Sequence, residues 1–209
     1  MKVLTTNVLK VEGPADEEGI HMQVEHMVAK VSGLTFDLVV KELRKRSFGV
    51  LGTVTKDGRP HSVGIAYGVS LPGAPFEIYV MTRRHLQKAR NIAANPNVSL
   101  VVPLTRRLLW FLPPPCIQLQ GQAEILDRKD ETGTKAFEAF FMGRQILGKY
   151  EESYRRGETR TCFLRITPGP EIFTYMVGYP VWEMSKRMES GSGMVEIPID
   201  RRGAALRRS

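Results

Sequence analysis

The sequence predicts a mainly β protein, a closed or partly closed antiparallel barrel of about six to seven strands with short helices. Three observations carry that expectation. Residues 116–126 alternate, with Ile117, Leu119, Gly121, Ala123 and Ile125 to one side and Gln118, Gln120, Gln122 and Glu124 to the other; this is the period of a half-buried strand. Lys56-Asp57-Gly58-Arg59 sets Asp-Gly between two apolar, β-branched runs, a strong hairpin signal. One short helical run, residues 84–94, separates the third and fourth strand runs and stops at Asn95-Pro96, where the residue before proline disfavours helix.

The elements follow in order. Residues 1–34 form an N-terminal extension, with a strand expected at 2–11 and an acidic turn after it. Glu12, Asp16, Glu17 and Glu18 stand where a leader would be basic and then apolar, so no signal peptide is expected. Thr35 can cap a helix with Leu38, Val39 and Leu43 on one face and Arg44, Lys45 and Arg46 in its last turn, where cations favour the dipole. Strands are then expected over residues 48–55, 60–68, 76–81 and 97–103. Residues 104–115 form a long loop with Arg106, Arg107, Trp110, Phe111 and three prolines. After the alternating strand comes one helix, from residue 127 or 129 to about 147, with Phe137, Phe140 and Phe141 on one face. Residues 161–167 alternate again, Pro168-Gly169-Pro170 is expected to turn the chain, and 171–177 is expected to be the last barrel strand. The barrel domain is thus bounded at 35–180, followed by a C-terminal extension over 181–209 with a basic tail.

Composition narrows the function classes. The chain is 42% hydrophobic and 25% charged, with a formal net charge of +8. No run approaches the roughly 20 apolar residues of a membrane span. Cys116 and Cys162 are the only cysteines, too few for a disulfide framework or a zinc cluster, and a reducing, cytoplasmic setting is expected. No metal site is expected. Arg201, Arg202, Arg207 and Arg208 crowd the end of the chain; the cluster reads as a solvated tail rather than a nucleic-acid arm.

The chemistry concentrates at the corner Tyr79-Val80-Met81-Thr82-Arg83-Arg84. The first N–H groups of the following helix have no internal partners, and the dipole favours an anion there. Thr82 adds a hydroxyl, Arg83 and Arg84 add cations, and Lys88, a turn into the helix, leans back toward its N-terminus. Read alone, the segment is either a phosphate grip or a capped surface helix with spare basic residues.

The motif Tyr79-Val80-Met81-Thr82, then Lys88, then Asn95-Pro96-Asn97-Val98-Ser99-Leu100 resembles the central motif of the pyridoxamine 5′-phosphate oxidase-like, FMN-binding split-barrel superfamily. The run Phe48-Gly49-Val50-Leu51-Gly52-Thr53-Val54, the following Asp57-Gly58-Arg59-Pro60-His61-Ser62, and Gln120-Gly121-Gln122-Ala123-Glu124-Ile125 resemble the same family in the same order. The resemblance implies an antiparallel split barrel, a homodimer and two flavin sites at the interface. It implies that Thr82 and Lys88 hold the phosphate with Met81 and Arg83 beside them, and that His61, Ser62 and Val63 line the flavin ring. It also suggests Gln118 or Gln120 reaching in from the partner subunit, those glutamines being otherwise the wet face of a strand. Trp110, in the long loop, reads either as a wall of the flavin site or as an aromatic plug of the barrel end or a dimer contact. Two departures separate the chain from true pyridoxamine phosphate oxidases. Gln87-Lys88 stands where they carry Arg-Lys, and Pro180-Val181-Trp182-Glu183-Met184 replaces their Arg-Leu-His signature. The opening hairpin more closely resembles the broad flavin or deazaflavin reductase-like members.

The functional expectation is an FMN-binding oxidoreductase acting on an unidentified small molecule. The alternatives are a deazaflavin coenzyme in place of FMN and a non-catalytic store for flavin or another planar ligand. No catalytic residue is assigned, because the cofactor carries flavin chemistry.

Overall fold

The structure is a computed structural model that describes residues 33–104, 114–178 and 191–203. The expected N-terminal strand, Trp110, Phe111, Arg106 and Arg107, and residues 180–184 lie outside those segments.

Eight strands form one antiparallel sheet in the order β2-β1-β5-β6-β7-β4-β3, with β8 added to β7. They are β1 (Phe48–Val54), β2 (Pro60–Ala66), β3 (Gly68–Val69), β4 (Ile78–Arg83), β5 (Asn97–Pro103), β6 (Cys116–Asp127), β7 (Thr161–Tyr175) and β8 (Ser192–Glu196). The helices are α1 (Phe36–Arg44), α2 (Gln87–Ala94), α3 (Glu131–Glu138) and α4 (Phe141–Arg155), and a 3₁₀ turn spans Ile199–Arg201. This is the curled, mainly β sheet of a split barrel.

The β1–β2 hairpin forms as its turn residues dictate. Gly58 takes a φ of 80°, the left-handed region where glycine has no steric cost. The Thr55 hydroxyl donates to Asp57 at 2.7 Å and accepts from the Arg59 N–H at 3.0 Å.

The two ends of the sheet are consecutive in the chain. β2 ends at Ala66 and β3 begins at Gly68, so Tyr67 alone joins the β1 side of the wall to the β4 side. Tyr67 is 1% exposed; its hydroxyl donates to the Leu43 carbonyl at 2.9 Å and its N–H to the Ser47 carbonyl. Beyond this joint, β2 pairs only with β1, and β3 reaches β4 only at Ile78 and Tyr79. The split therefore runs between the free edge of β2 and residues 80–83 of β4.

Alternation sends Leu51, Ile65, Ile78, Val80, Val98, Leu100, Ile117, Leu119, Leu164 and Ile166 into the barrel. α1 seals one end with Phe36, Val39, Val40 and Leu43, capped by the Thr35 hydroxyl on the Leu38 N–H. α2 covers the other end with Ala89, Asn91 and Ile92.

Three expectations change. The single helix expected to reach residue 147 is two helices. Asp130 caps α3 through the Gly133 N–H at 2.7 Å, and the chain doubles back at Phe140 because Gly143 lies so close to the Phe137 carbonyl that a side chain would collide with it. Phe137 is buried against Phe163 and Tyr79, whereas Phe141 is exposed. Second, Pro168-Gly169-Pro170 lies inside the continuous strand β7 and does not turn the chain. Proline lacks a ladder donor, and at this point β7 leaves β4 and meets β8 on the same side; residues 169–171 bulge opposite Gln120 alone. Third, residues assigned to the C-terminal extension return to the sheet as β8, and Val195 and Ile197 enter the core.

Candidate functional site

Two polar regions lie on opposite faces of the barrel wall. The first is at the α2 end of the interior. Thr82 is 1% exposed and its Oγ1 is buried with no hydrogen-bond partner. Cys162 stands directly across from it on β7, so the two side chains share a face. Lys88, half buried on α2, has a pKa lowered by its desolvation, with the nearby Cys162 thiol acting weakly the other way. The same burial raises the Cys162 pKa, against the pull of Arg84 and Lys88. α2 begins at Leu86 without a side-chain cap and has no acid in its first turn. A buried hydroxyl and a half-buried ammonium flank Cys162 here, at a helix N-terminus with no side-chain cap, a donor set fitted to a phosphate.

β4 extends through Arg83, and this redirects two expected residues. Met81 and Arg83 alternate to the outer face, under α4. The Arg83 guanidinium lies over the Tyr150 ring at 5.2 Å, bonds Ser153 at 3.3 Å and pairs with Glu158 at 3.6 Å. Arg83 therefore does not join Thr82 and Lys88.

His61 and Val63 alternate inward on β2. Val63 packs against the core. His61 Nδ1 is 3.4 Å from the Thr53 hydroxyl, and that hydroxyl accepts from Asn91 at 2.9 Å. Asn91 accepts from Gln87 at 2.7 Å, and Gln87 accepts from Arg90 at 2.9 Å. Asn91 thus ties α2 to β1, and Gln87, at the position where the oxidases carry arginine, holds the Asn91 side chain from within α2. Thr53 and Asn91 escaped the sequence reading because threonine is ordinary in a strand; the usable signal was an asparagine on the buried side of a short helix.

The second region is a groove of about 970 Å³ on the outer face. Its floor is a row of directly opposed residues across four strands: Ser62, Gly52, Ser99 and Gln120. Asn97, Gln122, Thr167 and Gly169 continue it, and His61 reaches its rim. Gly52 has no side chain, which keeps the floor open between the two serines. Gly121 is required for a different reason: a side chain there would collide with the Thr167 carbonyl. Gln118 lies in the next row, opposite Val101 and Phe173. That row is apolar, and Phe48, Val101 and Phe173 are exposed on it or beside it.

The structure thus brings Thr82 and Lys88 together, gathers Ser62 and Gln120 in the groove with His61 at its rim, and separates Met81 and Arg83 from both groups. Among the described residues no group of three or more His, Cys, Asp or Glu side chains could hold a metal, and no helix is long and apolar enough to cross a membrane.

Comparison with known proteins adds the following. No curated protein matches the sequence. Among solved structures, the heme storage protein HutZ of Vibrio cholerae is similar at 19% identity and a TM-score of 0.53, over 69% of this chain and 98% of that one. A conserved hypothetical protein of Mycobacterium tuberculosis is similar at 20% identity and a TM-score of 0.48, over 65% and 81%. A FAD-binding protein of Mesorhizobium loti is similar at 22% identity and a TM-score of 0.45, over 64% and 87%. At these identities the likeness is one of fold. The family model described as pyridoxamine 5′-phosphate oxidase matches residues 36–169, well over half of the chain. With the split barrel and its motif residues in place, the chain belongs to the pyridoxamine 5′-phosphate oxidase-like split-barrel family.

Proposed function

We propose that the protein binds a phosphorylated flavin, FMN, and uses it to move electrons to or from a small molecule at the interface of two copies of the chain. The observation that carries this reading is the buried, unpartnered Thr82 hydroxyl, directly across the ladder from Cys162, whose thiol interacts with Lys88. An unmade hydrogen bond at a buried group costs about 1–3 kcal/mol, and a phosphate oxygen would recover it. Lys88 would supply the charge and the N-terminus of α2 the N–H groups.

A planar ring attached to that phosphate would run along the free edge of β2, beside His61 and Ser62. In one chain the seat of Thr82 faces inward and Gln120 faces outward, so one ligand does not touch both. A second copy laying its outer groove over the split of the first would bring Gln118 or Gln120 to the ring and cover the exposed Phe48, Val101 and Phe173. The residues would bind, orient and shield the cofactor; the flavin, when bound, supplies hydride transfer. A deazaflavin coenzyme would offer the same phosphate, and competitive titration against FMN separates the two.

The test is titration of the purified protein with FMN, read by flavin fluorescence. Saturable micromolar binding that weakens roughly tenfold to a hundredfold in Thr82→Val and Lys88→Met is expected; unaltered binding in both variants would move the phosphate elsewhere. The likeness to a heme storage protein suggests a non-catalytic reading, with His61, on the strand that borders the split, as the imidazole. A Soret band that appears with hemin and is lost in His61→Ala, without FMN binding, would favour it.

A further inference from the structure

Arg83 and Thr161 stand directly opposite each other on β4 and β7, on the outer face and away from the phosphate seat. Thr161 is 3% exposed, and its Oγ1 is buried with no partner. The Nε of Arg83 is likewise buried without a hydrogen bond. Its ion partner Glu158 is engaged elsewhere: Arg160 holds it through hydrogen bonds of 2.9 and 2.7 Å, which bring its carboxyl down to about 2 and leave Arg83 at 3.6 Å. Tyr150, under the Arg83 guanidinium, makes only a long bond of 3.4 Å to the Met81 carbonyl, and burial raises its pKa, so it remains a donor.

Of these donors, Thr161 and Tyr150 line a pocket of about 360 Å³ between the α3–α4 pair and the barrel wall, a size that suits a small molecule; Arg83 lies next to both, across the ladder from Thr161 and over the Tyr150 ring. Met81, Leu147 and Gly148 give it an apolar side. Arg128 and Lys129 stand at its rim. Two acids also line it, Glu151, which Arg128 and Arg155 pair, and Glu138 on α3. Nothing lies within 4 Å of where a Gly148 side chain would begin, so the pocket is open at that point.

We propose that this pocket is a second ligand site, separate from the cofactor site, for a small organic carboxylate. The carboxylate would accept from Thr161 Oγ1 and the Tyr150 hydroxyl, with the Arg83 charge behind them, and the apolar body would lie along Met81 and Leu147. Unpartnered buried donors are rare in native proteins, and the Thr161 hydroxyl in the wall of an open pocket indicates an acceptor that binds there.

Benzoate is the probe, with benzyl alcohol as its neutral counterpart, and binding is followed by amide NMR shifts. Saturable shifts at Gly148, Tyr150 and Thr161 are expected with benzoate, and binding at least about tenfold weaker with the alcohol, the scale of one charge-assisted hydrogen bond. Thr161→Val should weaken benzoate binding by about the same factor while keeping or raising the melting temperature, because it removes an unpartnered hydroxyl. Gly148→Leu, at an exposed helical position that favours leucine over glycine, should fill the pocket and abolish binding. Lack of saturation, equal affinity for acid and alcohol, undiminished binding in Gly148→Leu, or a marked fall in melting temperature in Thr161→Val would overturn the proposal. Flavin titration of the same variants reads the other face of the wall and should be unchanged, so the two sites fail or stand independently.

Discussion

Lys88 is half buried, and its ammonium pKa is lowered chiefly by lost hydration. Stability and binding are therefore opposed at this residue. The charged form is disfavoured in the folded state, so the free protein carries that penalty at neutral pH and loses it as pH rises from the lowered folded value toward 10.5, the value of an unperturbed lysine. Lys88→Met should raise the melting temperature of the ligand-free protein and weaken FMN binding by about 1.5–3 kcal/mol. Calorimetry and titration on one preparation check both. A bound phosphate restores a charge partner and raises the pKa again, so FMN affinity should hold steady at low pH and decline once the free protein begins to lose the Lys88 proton. The placement of Thr82 near the end of a strand and of Lys88 on the helix after it was legible in the sequence, because it survives small errors in element boundaries. Arg83 was not: ending the third strand at Met81 put it in the corner with Lys88, whereas two more residues of strand turn it to the opposite face, where Tyr150, Ser153 and Glu158 hold it.

Most strands, α1 and α2 were legible because their periodicity is local. What escaped depends on partners distant in the chain. Pro168-Gly169-Pro170 carries a turn composition, but the sequence does not show that β7 changes neighbours there and needs no donor on that side. The break between α3 and α4 rests on Gly143 approaching Phe137, a contact that leaves no trace in helical periodicity. β8 is a short strand of Ser192, Gly193, Met194, Val195 and Glu196 with little pattern of its own; its place comes from the exposed half of β7. Although it lies beyond the region matched by the family model, it is part of the core. Truncation after residue 190 removes buried Val195 and Ile197 and should cost about 3–6 kcal/mol, taking roughly 1.5–3 kcal/mol for each apolar side chain. Urea unfolding of the shortened chain measures this, and a change within error would mean that β8 adds nothing to the fold.

At the scale of the whole molecule, the proposed site has its halves on two faces of one wall, so its completion depends on association. Phe173→Glu, on the exposed apolar row beside the groove, should leave the barrel folded, since charge on an exposed strand position disturbs no core contact, and should shift sedimentation toward a monomer. FMN affinity should then fall although Thr82 and Lys88 are untouched. A Phe173→Glu protein that remains dimeric and binds FMN normally would separate cofactor binding from this face.

The single-residue joint at Tyr67 has a mechanical consequence. It makes the split a wedge with a fixed apex, clamped by the bonds of Tyr67 to Leu43 and Ser47, and with a mouth between Ser62 and Thr82 that no ladder holds shut. Opening the mouth bends the chain at one point and breaks no strand pairing. Backbone amides at residues 80–83 that face the split should exchange with solvent faster than those facing β7, and a bound cofactor should slow them without altering exchange in β5 or β6. Tyr67→Phe, remote from the mouth, should loosen the hinge and speed exchange at 80–83, making the width of the ligand cleft a property set from the far end of the barrel.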